Sequence, residues 1–203
     1  MPDANTNFRL ILGSSSQYRK ELLARLRIPF GTLAPDIDET PQPGESPEST
    51  AVRLAQQKAL AVLAEAPQAL VIGCDQVATL DAIQIGKPGT HENALAQLQM
   101  MRGREVVFHT ALCLLDGRVA AQLPLQVENL QTLVTFRDLP DQELDAYLRI
   151  EKPYDCAGSA RNEGLGIALI ESICSTDPTA LTGLPLIALT TMLRRVGVPF
   201  FQV

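Results

Sequence analysis

The chain has 203 residues, 46% hydrophobic and 20% charged, and its 17 Lys and Arg against 23 Asp and Glu leave a net charge of −6. That length buries a proper core, as one domain or one domain with a lobe. The acidic balance argues against broad nucleic-acid or anionic-membrane binding, where a basic face is expected, so any local basic cluster has to be a site.

The N-terminal "MPDANTNF" is short and polar, with no apolar run of the kind a secretory signal needs, and residues 1–7 are expected to be flexible. Residues 8–12 read as a buried strand and 17–26 as a helix with Leu22, Leu23 and Leu26 inward. "PFGTLAP" (29–35) is a second strand, close enough to complete a β-α-β unit, and "DIDETPQPGESPES" is a Pro-rich acidic loop with the highest expected mobility. A long helix runs from Pro47 to Glu65, with Val52, Ala55, Ala59, Val62 and Ala66 as its inner stripe. "ALVIGCDQVATL" (69–80) is the next strand, which Asp81-Ala82 turns back into "IQIGKPG". Thr90 opens a helix over 90–102. Two strands, 105–115 and 118–136, are joined by Asp116-Gly117, a strong hairpin signal. Residues 139–151 are helical, 155–166 form a glycine-punctuated loop, and 183–197 form a helix with Pro185 near its start. Without repeats or linkers, residues 8–203 read as a single α/β domain, a mixed sheet with helices on its faces. Cys74, Cys113, Cys156 and Cys174 form no CxxC pair and read as reduced core residues of a cytoplasmic protein. No apolar run approaches the roughly 20 residues of a membrane span, and His91 and His109 alone do not suggest zinc.

Four polar features carry candidate chemistry. A strand running into a helix through Ser14, Ser15, Ser16 and Arg19 presents free backbone N–H groups to an anion, or is an ordinary N-cap. It lacks the G-x-x-x-x-G-K-[ST] pattern of a Walker A loop. Asp75 follows "LVIGC" at a strand end, where a carboxylate needs a metal ion or a cation as partner, or else is a solvated turn residue. Lys58 flanks the inner stripe of its helix while Arg53 points away, and with Lys87 and Arg19 it makes three cations for a polyphosphate. Asp38 and Glu39, in the acidic loop, suit a hard divalent cation held jointly by carboxylates and phosphate oxygens, or are simply loop charges.

The order of "SSSQYR", "DIDETP", "RLAQQKA", "GCDQV", "GKP", "CAGSARNEGLG" and "GLPLIAL" resembles the Maf family of nucleoside triphosphate pyrophosphatases, from about residue 8 to about residue 197. The resemblance implies an elongated mixed α/β fold of two lobes around a central cleft, similar to the inosine triphosphatase architecture. It also implies hydrolysis of a nucleotide substrate to the monophosphate and diphosphate with Mg²⁺ or Mn²⁺, and a homodimer. By motif, Ser14, Ser16, Arg19, Lys58 and Lys87 fall on phosphate-binding positions, Glu39 on an acidic metal position, and Asp75 on the general base. Asp75 equally suits a metal ligand, and the residues leave both roles open.

Tyr18, Gln76 and Glu163 bear on the base. Tyr18 stands where the pyrimidine-preferring branch has arginine, Gln76 where it has threonine, and Glu163 where it has glutamine. The combination resembles the YceF branch, whose members act on 7-methyl-GTP. The chemistry agrees: an aromatic face attracts the flat cationic base, and a carboxylate accepts from its N1–H and N2–H edge. Departures from the pattern are Gln17 for the usual proline, Tyr18 for the branch's tryptophan, and Ala111 for the glycine after Thr110. The alternatives are a pyrophosphatase for dTTP, UTP or other modified nucleotides, and a non-catalytic nucleotide-binding regulator of cell division; intact Asp75, Lys58 and Lys87 favour an enzyme.

Overall fold

A computed structural model describes residues 8–81, 83–119, 121–122 and 124–201, so residues 1–7 and Ala82 of the expected turn lie outside the described residues. Strand β1 (Arg9–Gly13), helix α1 (Gln17–Ala24) and strand β2 (Gly31–Thr32) form the expected parallel β-α-β unit, Ile11 lying opposite Gly31. Helix α2 (Pro47–Glu65) then leads to β3 (Ala69–Leu80), which runs parallel to β1 from Arg9↔Ala69 to Gly13↔Gly73. Strand β4 (Ile83–Ile85) folds back antiparallel on the far end of β3, at Ala78 to Leu80. Helix α3 (His91–Met101) precedes β5 (Glu105–Asp116) and β6 (Leu125–Phe136); helix α4 (Asp141–Glu151), strand β7 (Ile170–Ser175) and helix α5 (Leu186–Arg195) complete the chain. The mixed sheet has the order β2-β1-β3-β5-β6-β7, with β4 attached to β3.

The length of β3 creates the site. One edge pairs with β1 only as far as Gly73 and with β4 only from Ala78 on. Among the described residues, 74–77 therefore have no strand neighbour on that edge, while their other edge stays on β5. Asp75 and Gln76 sit in this gap.

Alternation along β1 and β3 divides the near half of the core between two faces. Leu10, Leu12, Leu70 and Ile72 meet Leu22 and Leu23 of α1 and Leu189 and Leu193 of α5. Ile11, Ala69 and Val71 face Ala51, Ala55, Ala59 and Val62 of α2. The far half has its own cluster, in which Leu98 and Met101 of α3 and Leu144 and Leu148 of α4 cover Ala78, Val106 and Phe136. The cleft lies between these two lobes of one sheet.

Several expectations are corrected. The second strand is only Gly31–Thr32. The strand expected over 118–136 begins at Leu125, and Asp116-Gly117 is not a tight hairpin. Asp116 turns its carboxylate onto Arg118 N and Nε at 3.1 and 2.8 Å, Gly117 N donates to Ala69 O at 2.9 Å, and Asp116 N reaches Pro124 O at 2.8 Å across a longer connection. β7 was not expected, because "IESICS" is an edge strand exposed at four of six positions and shows no alternation. Cys174 lies exposed on it and Cys156 is half-buried, so only Cys74 and Cys113 of the four free cysteines belong to the core. On α2 the inner stripe is Ala51, Leu54, Ala55, Lys58, Ala59 and Val62: Val52 is half-buried, and Lys58 stands on the stripe rather than beside it.

Candidate active site

A cleft of about 780 Å³ opens at the gap in β3, and every candidate residue but Asp38 lines it: Ser14, Ser15, Ser16, Tyr18, Arg19, Glu39, Lys58, Asp75, Gln76, Lys87 and Glu163. Asp38 is not among its lining; its carboxylate accepts from Thr40 N at 2.9 Å in the exposed loop.

The opening turn serves as both a cap and a cradle. Ser16 is the N-cap of α1, its Oγ accepting from Arg19 N at 3.4 Å, and Ser14 Oγ accepts from Ser16 N at 3.1 Å. The same hydroxyl accepts from Arg19 Nη1 at 3.4 Å, and Arg19 Nε donates to Gly183 O at 2.9 Å. Arg19 is thus held from two sides at the cleft wall. Gly183 accepts this contact with a φ of +107°, a backbone that favours glycine, and a Cβ there would crowd Arg19 Nε at 3.3 Å.

Lys58 and Asp75 are the buried centre of the site, each 6% exposed. Lys58 Nζ reaches Asp75 Oδ1 at 2.6 Å and Glu39 Oε1 at 2.7 Å. Two charges taken from water this far need such pairing. Burial pushes the Asp75 carboxyl above the ordinary 3.8, Lys58 and Arg19 offsetting it only in part and Glu39 adding to it. Asp75 Oδ2 has no protein partner among the described residues and is not sealed from solvent. For Glu39, burial pushes upward, but the hydrogen bond from Lys58 and the charges of Lys58, Lys87 and Arg19 outweigh it and hold the carboxyl below 4.5.

The loop that brings Glu39 is fastened by α2. Arg53 points away from the stripe as expected, and clamps Glu45 through Nε and Nη2, both at 2.7 Å, while Nη2 also donates to Thr40 O at 3.1 Å. Glu45 accepts further from Thr50 Oγ1 at 2.9 Å and Gln42 N at 3.0 Å. The loop that composition marks as the most mobile therefore carries its own anchor.

Lys87 is exposed and has no ion-pair partner among the described residues. Its loop is positioned from α3, where Asn93 Nδ2 donates to Pro88 O at 3.0 Å and Gln97 Nε2 to Gly86 O at 3.1 Å. Gln97 Oε1 also accepts from Ser159 Oγ at 2.6 Å, tying the Lys87 loop to the 157–163 loop. Neither Asn93 nor Gln97 stood out in the sequence, since a polar residue on an amphipathic helix has the same appearance whether it binds water or a loop carbonyl.

At the other end, Tyr18 meets the 155–163 loop. Burial raises its hydroxyl pKa, as do Cys156, Asp155 and Glu163, with Arg161 acting in the opposite direction. Gln76 reaches the cleft, but its Nε2 is taken by Thr110 Oγ1 at 2.9 Å, Leu181 O at 3.0 Å and Ala180 O at 3.1 Å. Thr110 Oγ1 donates to Ala180 O at 3.1 Å, so the buried Thr110 and Gln76 together shape the turn that ends at Gly183.

Comparison with known proteins identifies the family. The Maf-like protein family matches residues 9–196. A 7-methyl-GTP pyrophosphatase of Cupriavidus metallidurans is 65% identical over 198 residues, covering 98% of each chain. One of Ralstonia nicotianae is 66% identical over 95% of this chain and 97% of the relative, and one of Burkholderia thailandensis 63% identical over 98% and 93%. A crystal structure of a nucleoside-triphosphatase (dITP/XTP pyrophosphatase) from Mycobacterium abscessus aligns over 93% of this chain and 94% of that chain, with a TM-score of 0.44 and 15% identity, too distant to bear on the site. Among the described residues no helix is long and apolar enough to cross a membrane.

Proposed function

The chain belongs to the Maf family, and from that premise we propose that it hydrolyses 7-methyl-GTP to 7-methyl-GMP and diphosphate. One observation carries the reading from the side of chemistry: Arg19, Lys58 and Lys87, a buried carboxylate and an aromatic ring converge on a single cleft of an otherwise acidic protein. The relatives' activity supports the choice of base.

In this reading Arg19, Lys58 and Lys87 hold the triphosphate, with the Ser14–Ser16 turn beside them, and offset the charge that grows on its oxygens. Asp75 orients the attacking water through Oδ2, Oδ1 being engaged by Lys58. The water oxygen bonds to the α-phosphorus, the bond from phosphorus to the α–β bridging oxygen breaks, and diphosphate leaves with the electron pair. The water's proton passes to Asp75, whose raised pKa makes it a better acceptor than an ordinary carboxylate. Tyr18 stacks on the cationic base and Glu163, exposed in the cleft, accepts from its N1–H and N2–H edge. Gln76 acts by holding the 180–183 turn, its nitrogen being engaged there.

A divalent cation fits the donor set. Glu39 Oε1 and Asp75 Oδ1 already converge on one positive charge, Lys58 Nζ. No cluster of three or more Asp, Glu, His or Cys forms among the described residues, and Mg²⁺ is commonly held by one or two carboxylates with phosphate oxygens and water. Glu39 and Asp75 would hold it, and when bound it supplies further charge neutralisation on the phosphates.

The test is a substrate panel with Mg²⁺ or Mn²⁺, scoring diphosphate release from 7-methyl-GTP, GTP, UTP and dTTP. 7-methyl-GTP is expected to have the highest kcat/KM; parity with the others overturns the choice of base. In parallel, Asp75→Asn is expected to bind 7-methyl-GTP and not turn it over, and unchanged turnover overturns its role as base.

A further inference from the structure

Arg161 was not among the candidate residues, yet it covers Tyr18. Its guanidinium carbon stands 5.2 Å from the centroid of the Tyr18 ring, within the range over which a ring face attracts a cation. Both residues line the cleft. A flat, delocalised cation therefore lies on the ring that the reading above assigns to a flat, delocalised, cationic base. One ring face cannot hold both.

The main chain of Arg161 is firmly placed, and its head group is held by fewer contacts. The backbone N donates to Tyr147 Oη at 3.1 Å. Gly166 packs on it so closely that a Cβ there would come within 2.5 Å of Arg161 N and O. The guanidinium, by contrast, makes one ion pair, Nη1 to Glu151 Oε1 at 3.1 Å, with the side chain 39% exposed. Its Nε is buried with no hydrogen-bond partner among the described residues, and a buried donor left without an acceptor weakens the state that contains it. The parked position is thus favourable but shallow.

We propose that Arg161 is a built-in occupant of the base subsite, a displaceable cap on Tyr18 that gives way when the base of the substrate enters. The proposal rests on the reading of Tyr18 as the base-stacking residue. A base that stacks on the covered face must displace the guanidinium whatever its identity, so the cap lowers the affinity for every base by one common factor. Discrimination remains with the ring: a planar cation such as an N7-alkylated purine restores the cation–π contact that the guanidinium gives up, and a neutral purine restores only stacking.

The test measures calorimetric binding of 7-methyl-GMP and GMP, which carry the base and lack the scissile linkage. The proteins are the full chain, Arg161→Met, Arg161→Gln, Tyr18→Leu and the double variant Tyr18→Leu/Arg161→Met. Removing the guanidinium is expected to tighten both nucleotides by about two- to fivefold, the range an exposed cation–π contact sets, and to leave their affinity ratio unchanged. In the Tyr18→Leu background Arg161→Met is expected to do nothing, because there is no ring left to cover. Weaker or unchanged binding in both Arg161 variants overturns the cap, and so does tightening that persists without Tyr18. Tyr18→Leu separates the two ideas. If the preference for the methylated base survives it, the stacking assignment fails and the cap with it; if the preference falls while the Arg161 variants bind as the full chain does, the cap alone fails.

Discussion

Gly73→Ala is the substitution by which packing and chemistry can be tested together. Gly73 is the last residue of β3 paired with β1, two positions before Asp75, and it lies under α2. A Cβ built there meets Ala55 O at 2.1 Å, Ala59 N at 2.9 Å and Ala59 Cβ at 3.0 Å. The first two are backbone atoms, so no rotamer relieves the clash. Restoring an ordinary contact of 3.4 Å to Ala55 O requires about 1.3 Å of relative movement between helix and strand. Lys58 lies between Ala55 and Ala59 on the same helix, and its 2.6 Å contact with Asp75 spans that helix–strand gap. Overpacking a core costs about 1–3 kcal/mol, and a clash against helix backbone belongs at the upper end. For a chain of this size about 3 kcal/mol lowers Tm by about 6–12 °C. Differential scanning calorimetry measures that loss, and assays of 7-methyl-GTP hydrolysis measure the second effect, a fall of at least about tenfold in kcat/KM as Lys58 and Asp75 are drawn apart. A variant with Tm within 2 °C of the parent and unchanged kcat/KM would refute the claim that α2 sets the distance between these two groups.

Other outcomes follow from the same contacts. Glu163→Gln is expected to weaken 7-methyl-GTP more than UTP in KM, and equal losses would count against base readout by this carboxylate. The Glu45 carboxyl, held at about 2 by Arg53, Gln42 and Thr50 against an ordinary 4.5, contributes stability that is fully present above 4.5 and is lost as pH falls through about 2. The denaturant midpoints of the parent and Glu45→Gln should therefore differ at neutral pH and converge as pH approaches 2, and a constant gap would exclude the ionic contribution. Asp177 is buried and caps α5 from a distance, Oδ2 accepting from Ile187 N at 2.7 Å and Ala188 N at 3.2 Å, with Oδ1 on Thr179. Asp177→Ala should cost about 2 kcal/mol by denaturant melts, and a loss under 0.5 kcal/mol would show that water replaces the cap.

Much of this protein was legible residue by residue. The range Pro47–Glu65 of α2 follows from a stripe of small apolar residues, and Ala69–Leu80 of β3 from an unbroken apolar run. The chemical inventory was legible too: a serine turn with an arginine, two lysines, an aspartate and an acidic loop, but Asp75, expected at a strand end, lies in the middle of β3, paired with Ala111 of β5. These signals are local, because helix and strand periodicities and caps operate within a few residues. What local signals do not contain is how far β3 pairs on each edge, and that decides the site. Only because β1 stops opposite Gly73 and β4 begins opposite Ala78 does the strand open at Asp75. Sheet order likewise brings Glu39, Lys58 and Asp75 together, gathers Gln76 Nε2 into the 180–181 turn, and lays Arg161 across Tyr18. Strand β7 stayed hidden for the same reason, since an exposed edge strand is defined by its neighbour β6 and not by its own alternation. The sequence by itself determined which groups were available and on which elements they stand; the pairing of distant backbone segments decided which of them meet, and burial among those partners then set the chemistry of Asp75.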